Sequence, residues 1–319
     1  MAIDGVLLLG FGGVTTGCCG RRPACPQTPG CEVECFVSKV LGDDPRLMDR
    51  VQEVCEHYAH FGNVSPYNER TFEQAAALEC ELEKRGQKIP VRCGFRNWPP
   101  WYTDGLRELY EAGCRNIAYL VLAPHQCSRS WDDYINEANA ARDELGPAAP
   151  ACAGVTEPFF VHPGFISASA ARIRESVADW DEERFAAAKL VLTAHAIPVP
   201  AERASPYRQQ VIETAKQVAE ACGHPEHVVA FQSAPDNSRI PWSEPRIENV
   251  LDEVHAAGAN DVVVQSVGFI VDHIEVLFDI DTEARAQAKE LGMGFVWAPC
   301  VGDHPDFIGT MAERVLELT

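Results

Sequence analysis

The sequence has no apolar run that approaches the roughly 18 residues needed to cross a membrane as a helix. The segment from Met1 to Gly5 carries an acid where a signal peptide would carry basic residues, and the apolar run after it is too short for one. We therefore expect a cytoplasmic protein that does not span a membrane. We interpret the run from Val6 to Phe11 as its first core strand.

Positive charge is also scarce. The chain has 27 lysines and arginines against 47 aspartates and glutamates, which gives a formal net charge of -20. Such a chain is poorly suited to a nucleic-acid backbone or an anionic membrane surface, so we expect neither as a partner. The stretch from Gly10 to Gly13 does not complete the spaced G-x-G-x-x-G pattern of a dinucleotide fingerprint, because its last glycine is missing. No Gly-Lys-Ser/Thr follows it either. These features favour a tight exit from a strand over a phosphate loop.

Cysteine, in contrast, is abundant: there are 13, an odd number. In a cytoplasmic chain they are expected to be thiols or metal ligands rather than a disulfide framework. A proline-rich segment, residues 14–44, contains five of them, namely Cys18, Cys19, Cys25, Cys31 and Cys35. Thiols at this density suit zinc or a [2Fe–2S] cluster, although their spacing matches neither paired C-x-x-C knuckles nor a ferredoxin run. The alternative is a flexible loop with redox-labile thiols.

Strand patterns alternate with helical patterns along the chain. Apolar runs predict strands at Val91–Phe95, Ile117–Leu122, Leu190–Thr193, Val228–Gln232, Asp261–Val267 and Phe295–Ala298. This alternation is typical of an α/β fold with parallel sheets covered by helices on both faces. We predict two similar halves, residues 1–150 and 151–319, with a ligand cleft between them.

Four carboxylates follow the predicted strand at Asp261–Val267. Asp272, Glu275, Asp279 and Glu283 recur at steps of three, four and four, which predicts one face of an α-helix. A row of carboxylates just past a strand suits the handling of a cation or a proton. The alternative is a solvated helix face.

A single histidine, His195, directly follows the predicted strand at Leu190–Thr193. Such a histidine is often a packed and hydrogen-bonded side chain rather than a catalytic one. Pro198 and Pro200 prevent an immediate helix and favour an open loop. Because this strand lies in the same half as the carboxylates, we expect both motifs to meet at one edge of the sheet.

These motifs resemble those of a known family. Thr193-Ala194-His195-Ala196-Ile197-Pro198 resembles the histidine motif of ferrochelatases, and the stretch from Val267 to Asp281 resembles their glutamate motif. The resemblance extends over about residues 1–318 through four further matches, which are Val64-Ser65-Pro66, Leu122-Ala123-Pro124-His125, Phe231-Gln232-Ser233 with Pro241-Trp242, and His304-Pro305 with Phe307-Ile308. It implies two Rossmann-like, chelatase-type halves around a porphyrin cleft.

The resemblance also implies an activity, a lyase-type chelatase that inserts Fe(II) into a porphyrin during haem biosynthesis. His195 and Glu275 would then be the pair that holds the metal and handles protons, with Asp272 and Asp279 as an outer path. The same resemblance implies porphyrin contacts at His57, Tyr58, Ser65 and Tyr134. We expect a monomer or a weak dimer.

The sequence departs from the family in ways that bear on the substrate. Some coproporphyrin-type members carry a tyrosine that ligates product iron near the position where Val14 stands here. The segment from Gln232 to Trp242 is similar to the longer version found in coproporphyrin-type enzymes, which favours coproporphyrin III over protoporphyrin IX. Cys300 is the last cysteine, so the C-terminal cluster site of animal members is not expected.

Two other functions remain open on the sequence. A chelatase that inserts cobalt or nickel into a tetrapyrrole would use the same histidine and glutamate. A non-catalytic tetrapyrrole or iron–sulfur carrier on this fold would use the segment from Cys18 to Cys35 instead.

Overall fold

The computed structural model describes residues 2–17, 30–235 and 238–319. The chain forms two compact units. Unit 1 comprises Met1–Leu122, Asp133–Thr156 and Val315–Thr319, and unit 2 comprises Ala123–Asp132 and Glu157–Arg314. Each unit is a parallel sheet with helices, which confirms the predicted α/β class. No helix in these described residues is long and apolar enough to cross a membrane.

Unit 1 contains a four-stranded parallel sheet in the order β2-β1-β3-β4. Its central strands β1 and β3 are buried along nearly their whole length, as expected for apolar runs covered on both faces. The strands are β1 (Gly5–Gly10), β2 (Val91–Phe95), β3 (Asn116–Val121) and β4 (Ala151–Val155). The helices are α1 (Cys31–Val40), α2 (Met48–His60), α3 (Tyr67–Lys84), α4 (Tyr102–Glu111) and α5 (Asp133–Leu145), with 3-10 turns at Pro45–Leu47 and Gly146–Ala148.

Unit 2 repeats this strand order as β6-β5-β7-β8, again all parallel, with β5 and β7 at the centre. The strands are β5 (Lys189–His195), β6 (His227–Gln232), β7 (Asp261–Ser266) and β8 (Gly294–Ala298). The α-helices are α6 (Pro163–Ser176), α7 (Glu182–Ala187), α8 (Val199–Arg203), α9 (Tyr207–Ala221), α10 (Ile247–Ala256), α11 (Arg285–Glu290) and α12 (Pro305–Leu316). Two segments, Ser128–Asp132 and Val276–Ala284, are π-helical.

The boundary between the units lies later than the predicted 150/151. Residues 151–155 form β4, which pairs with β3, so the N-terminal sheet ends only there. The sequence hides this strand because it is short, rich in small residues and only partly buried, and so lacks a clear apolar pattern. The chain also returns to unit 1 at its last residues, where Leu318 lies against Gly154.

The sequence suggested an irregular cysteine-rich segment, but part of that segment is helical. Its later part forms α1, which begins after Gly30 in a left-handed conformation at φ 86°. Val33, Phe36 and Val37 recur at helical spacing and are buried in unit 1, which explains the helix. Phe36 packs edge-on against Phe11 at a centroid distance of 6.0 Å. Three of the five cysteines, Cys18, Cys19 and Cys25, lie outside the described residues.

Candidate active site

His195 is the last residue of β5, and its imidazole has a defined tautomer. Nδ1 lies within hydrogen-bond distance of the carbonyl oxygen of Ala196. Because a carbonyl can only accept, Nδ1 must carry a proton, so in the neutral imidazole the lone pair is on Nε2. The histidine therefore presents an acceptor atom on the side away from its own backbone.

Glu275 faces that lone pair. Its Oε2 lies 3.5 Å from Nε2 of His195, and the two side chains are 43% and 30% exposed. If a metal ion lay about 2.1 Å from each atom, the nitrogen–metal–oxygen angle would be about 110°, close to the tetrahedral value. The pair is accessible, and its spacing suits one cation between a nitrogen and an oxygen donor.

Gly268 brings these residues together. β5 and β7 are hydrogen-bonded neighbours with Thr193 opposite Ser266, and the chain leaving β7 then crosses directly over the end of β5. The N–H of Gly268 donates to the carbonyl of Thr193 at 3.1 Å. A Cβ at Gly268 would lie 2.7 Å from the Cβ of Ala194 and 2.8 Å from its Cα, closer than real atoms approach. Only glycine permits this crossing.

His273 is a neighbour that the sequence reasoning missed. Its ring packs edge-on against Phe269 at 4.2 Å between centroids, and Phe269 also packs edge-on against His195 at 6.2 Å. Burial lowers the pKa of His273 to about 4, although the charge of Glu275 opposes the shift. His273 is therefore neutral near pH 7. Its position two residues before Glu275 was visible in the sequence, but its aromatic packing was not.

The predicted α-helical row of four carboxylates is wrong in its geometry. Asp272 lies in the loop before the helix, and Val276–Ala284 is a π-helix. The hydroxyl of Thr282 donates to the carbonyl of Leu277, five residues earlier, at 3.0 Å. A π-helix has more residues per turn than an α-helix, so an α-helical face cannot be read from the spacing. Short π-helical segments are frequent at functional sites.

The carboxylates consequently have separate surroundings. Asp272 accepts a hydrogen bond from the backbone N–H of Cys300 at 3.0 Å. Asp279 accepts one from the hydroxyl of Ser233, whose backbone is left-handed at φ 65° although it is not a glycine. Such a conformation costs of order 1–3 kcal/mol and is concentrated at functional sites. Glu283 is exposed.

A buried polar cluster fixes the strand ends beneath this site. The side-chain oxygen of Gln232, at the end of β6, accepts hydrogen bonds from Thr193 at 2.8 Å and from Ser266 at 3.1 Å. Both hydroxyls are buried. Since these residues belong to β5, β6 and β7, the cluster ties together the three strands from which the site projects.

The four predicted porphyrin contacts all lie in unit 1. His57 and Tyr58 are in the last turn of α2, and Tyr134 is near the start of α5. Tyr58 is buried and packs against Phe36 at 6.0 Å between ring centroids. Ser65 is buried too, and its N–H donates to the carbonyl of Val14 at 2.8 Å.

Val14 itself is fully buried. Its hydrocarbon side chain has no atom that can ligate iron, and its backbone carbonyl is engaged by Ser65. The position where the resemblance placed an iron-ligating tyrosine therefore contributes no ligand in this chain.

The described part of the cysteine-rich segment does not form a metal site. Of this segment, the ten described cysteines include only Cys31 and Cys35, with Cys35 buried. Across residues 2–17, 30–235 and 238–319, no group of three or more His, Cys, Asp or Glu side chains could hold a metal ion. Two thiols are too few for a four-thiolate cluster or zinc site.

A family model described as Ferrochelatase matches residues 4–318. The chain belongs to the ferrochelatase family. It is 35% identical to a coproporphyrin III ferrochelatase of Mycolicibacterium vanbaalenii, over 100% of this chain and 91% of that protein. It is 32% identical to a ferrochelatase of Rhodopirellula baltica, over 99% of this chain and 87% of that protein.

Solved structures share its fold. SirB from Bacillus subtilis with Fe3+ has a TM-score of 0.56 at 16% identity, covering 78% of this chain and 90% of that one. The sirohydrochlorin chelatase SirB from Bacillus subtilis subspecies spizizenii, in complex with cobalt, has a TM-score of 0.53 at 13% identity, covering 98% and 94%. Both support the two-unit chelatase architecture.

Family membership decides among the functions that the sequence left open. This ferrochelatase is a lyase-type, metal-inserting enzyme of haem biosynthesis, with Fe(II) and a porphyrin as substrates. Neither a cobalt or nickel chelatase nor a non-catalytic carrier is favoured.

The hydrogen bond from Cys300 to Asp272 generates a stability prediction. Asp272→Ala should lower the free energy of unfolding by about 1–3 kcal/mol, because it leaves the Cys300 N–H without its acceptor. Asp272→Asn keeps an acceptor oxygen and should cost clearly less. Urea unfolding measures both, with Glu290→Ala on the exposed face of α11 as a control expected within about 0.5 kcal/mol of wild type. An Asp272→Ala protein as stable as the control would contradict this anchoring role.

Proposed function

We propose that His195 and Glu275 hold Fe(II) and receive the pyrrole protons while the metal enters the porphyrin. The observation that carries this proposal is the 3.5 Å separation of Nε2 and Oε2 on two partly exposed side chains. His195 ends the central strand β5, and Glu275 follows its neighbour β7, so both side chains lie at the carboxyl edge of the sheet.

The chemistry of insertion requires both groups. Two pyrrole N–H protons must leave, and the metal must exchange its water ligands for porphyrin nitrogens. A neutral imidazole whose Nε2 is unprotonated serves as a nitrogen ligand for iron or as a proton acceptor. The carboxylate of Glu275 supplies a hard oxygen ligand and a negative charge that favours the dication. The bond from Nδ1 to Ala196 keeps the ring in the tautomer that both roles need.

Asp272 and Asp279 complete the proposal as an outer path for protons and metal. They lie three residues before and four residues after Glu275, and both are partly buried. They accept hydrogen bonds from the N–H of Cys300 and the hydroxyl of Ser233. Asp272→Asn separates this role from anchoring, since the amide keeps the hydrogen bond but cannot carry a proton.

We assign His57, Tyr58, Ser65 and Tyr134 to porphyrin binding. Aromatic rings and a small hydroxyl residue suit the face and edge of a large apolar macrocycle. The family-typical Val64-Ser65-Pro66 turn supports Ser65, which lies against the N-terminal glycine turn through its bond to Val14.

We favour coproporphyrin III over protoporphyrin IX as the substrate. Full-length relatives from Mycolicibacterium vanbaalenii and Nocardia farcinica, at 35% and 34% identity, are named coproporphyrin III ferrochelatases. The long segment from Gln232 to Trp242 supports the same choice.

The proposal also includes a cytoplasmic location and a monomer or weak dimer. A [2Fe–2S] cluster or zinc in the cysteine-rich segment stays a prediction. It would need Cys18, Cys19 or Cys25 in addition to Cys31 and Cys35. Iron, zinc and acid-labile sulfide measured in anaerobically purified protein decide it.

Glu275→Gln should abolish most Fe(II) insertion and leave porphyrin binding largely intact. The amide keeps the shape of the side chain but loses its charge and its ability to accept a proton. We expect kcat to fall by about 100-fold or more, as for loss of a general base, and the Kd for porphyrin to change less than threefold. His195→Ala should behave alike. Anaerobic single-turnover insertion and fluorescence titration measure the two quantities.

The matched control is Glu290→Gln, an exposed glutamate on α11 that should retain wild-type turnover. If porphyrin binding and turnover fall together in Glu275→Gln, the residue is structural. Unchanged metallation in His195→Ala would remove that histidine from the mechanism.

The choice of porphyrin predicts a difference in specificity. With anaerobic Fe(II), kcat/KM for coproporphyrin III should exceed that for protoporphyrin IX by about tenfold or more, which corresponds to roughly 1.4 kcal/mol of differential binding. The two porphyrins are compared side by side under the same detergent conditions. Equal values, or a preference for protoporphyrin IX, would refute the choice.

A further inference from the structure

The peptide unit between His195 and Ala196 is held at both ends. Its carbonyl, that of His195, accepts a hydrogen bond from the hydroxyl of Tyr207 at 2.8 Å. Its N–H, that of Ala196, donates to the carbonyl of Gln232 at 2.8 Å. One bond comes from helix α9 and the other from strand β6, so the plane of this peptide cannot rotate without breaking one of them.

The orientation of this peptide determines where the imidazole lies. The pairing of β5 with β7 ends at Thr193, so His195 lies beyond that ladder, and its carbonyl accepts from the hydroxyl of Tyr207 instead of from a neighbouring strand. The next carbonyl, that of Ala196, accepts from Nδ1 of His195. A rotation of the His195–Ala196 peptide would therefore move the carbonyl of Ala196, and the imidazole of His195 would move with it.

Tyr207 is itself firmly placed. It is the first residue of α9 and is 5% exposed, in an apolar cluster that includes Ala194, Ile197 and Phe231. Its ring packs edge-on against His125 at 5.9 Å between centroids. Burial raises the pKa of Tyr207 far above its usual range, so its hydroxyl keeps its proton and acts as the donor.

Other residues on the same face of α9 form hydrogen bonds with the chain around His125. Gln210 accepts from the N–H of Gln126 at 2.7 Å and donates to its side-chain oxygen at 2.8 Å. The hydroxyl of Thr214 lies 2.9 Å from Nε2 of His125 and donates to the carbonyl of Phe160 at 2.7 Å. Residues at positions 207, 210 and 214 share one helix face, so this row fixes α9 against its surroundings.

We infer that Tyr207 is a positioning residue for His195, holding the imidazole in register with Glu275 through the His195–Ala196 peptide. The inference rests on the proposed role of His195 in binding Fe(II). Tyr207 acts through the backbone of His195 rather than on the substrate. Loss of its hydroxyl should therefore weaken the binding of Fe(II) and leave the binding of porphyrin unchanged.

The test is Tyr207→Phe, which removes only the hydroxyl. Small displacements of a reacting group cost up to about 100-fold in rate, and we expect an intermediate effect here: kcat about tenfold lower and KM for Fe(II) about tenfold higher, with KM for the porphyrin within twofold. Fe(II) and porphyrin are varied separately under anaerobic conditions. Rates are normalised to the folded fraction from thermal unfolding.

Tyr119→Phe is the matched control. Tyr119 is a fully buried tyrosine on β3 whose hydroxyl has no hydrogen-bond partner among the described residues. Its loss should change neither kcat nor either KM.

Two outcomes would overturn the inference. One is a Tyr207→Phe protein that is less stable but has wild-type kinetic constants per folded molecule, which would make Tyr207 merely structural. The other is a rise in KM for porphyrin with KM for Fe(II) unchanged. His195→Ala, measured in parallel, separates the two claims: full activity there defeats the proposed function, whereas an inactive His195→Ala beside a wild-type Tyr207→Phe defeats only this inference.

Discussion

The parallel pairing of β5 with β7 is the constraint on which the site depends. Parallel neighbours end at the same edge of a sheet, so the residue that ends β5 and the loop that leaves β7 must meet there. Gly268 lets that loop cross the end of β5 at backbone contact distance. His195 and Glu275 consequently face each other, although 80 positions separate them in the sequence.

Polar groups buried beneath the site maintain this geometry. Gln232 joins three strand ends through Thr193 and Ser266, and the backbone carbonyl of Gln232 accepts from Ala196. Breaking one of these buried hydrogen bonds would leave a polar group without a partner, so together they favour one arrangement of the strand ends. Ser233 in a left-handed conformation and the π-helix after Glu275 are local departures from regular structure at the same edge.

The sequence predicted most of the fold because buried parallel strands are nearly continuous apolar runs. The strand at Val91–Phe95 has the predicted bounds. β4 was missed because its small residues give no clear apolar pattern, and α1 was missed because nearby cysteines and prolines obscured its helical period. The pairing of His195 with Glu275 followed from strand order and family resemblance. The π-helix did not, because its spacing also fits an α-helix. The contributions of His273 and Tyr207 depend on contacts between distant residues, which one sequence cannot show.

The central claim is that one imidazole and one carboxylate hold the metal. The most direct measurement is X-ray absorption spectroscopy of the enzyme loaded anaerobically with one equivalent of Fe(II), without porphyrin. The account predicts nitrogen and oxygen neighbours at about 2.0–2.2 Å, the range for such ligands, with the outer-shell scattering of a single imidazole that disappears in His195→Ala. A sulfur neighbour at about 2.3 Å, the distance typical of a thiolate ligand, would contradict it and assign the metal to cysteine instead.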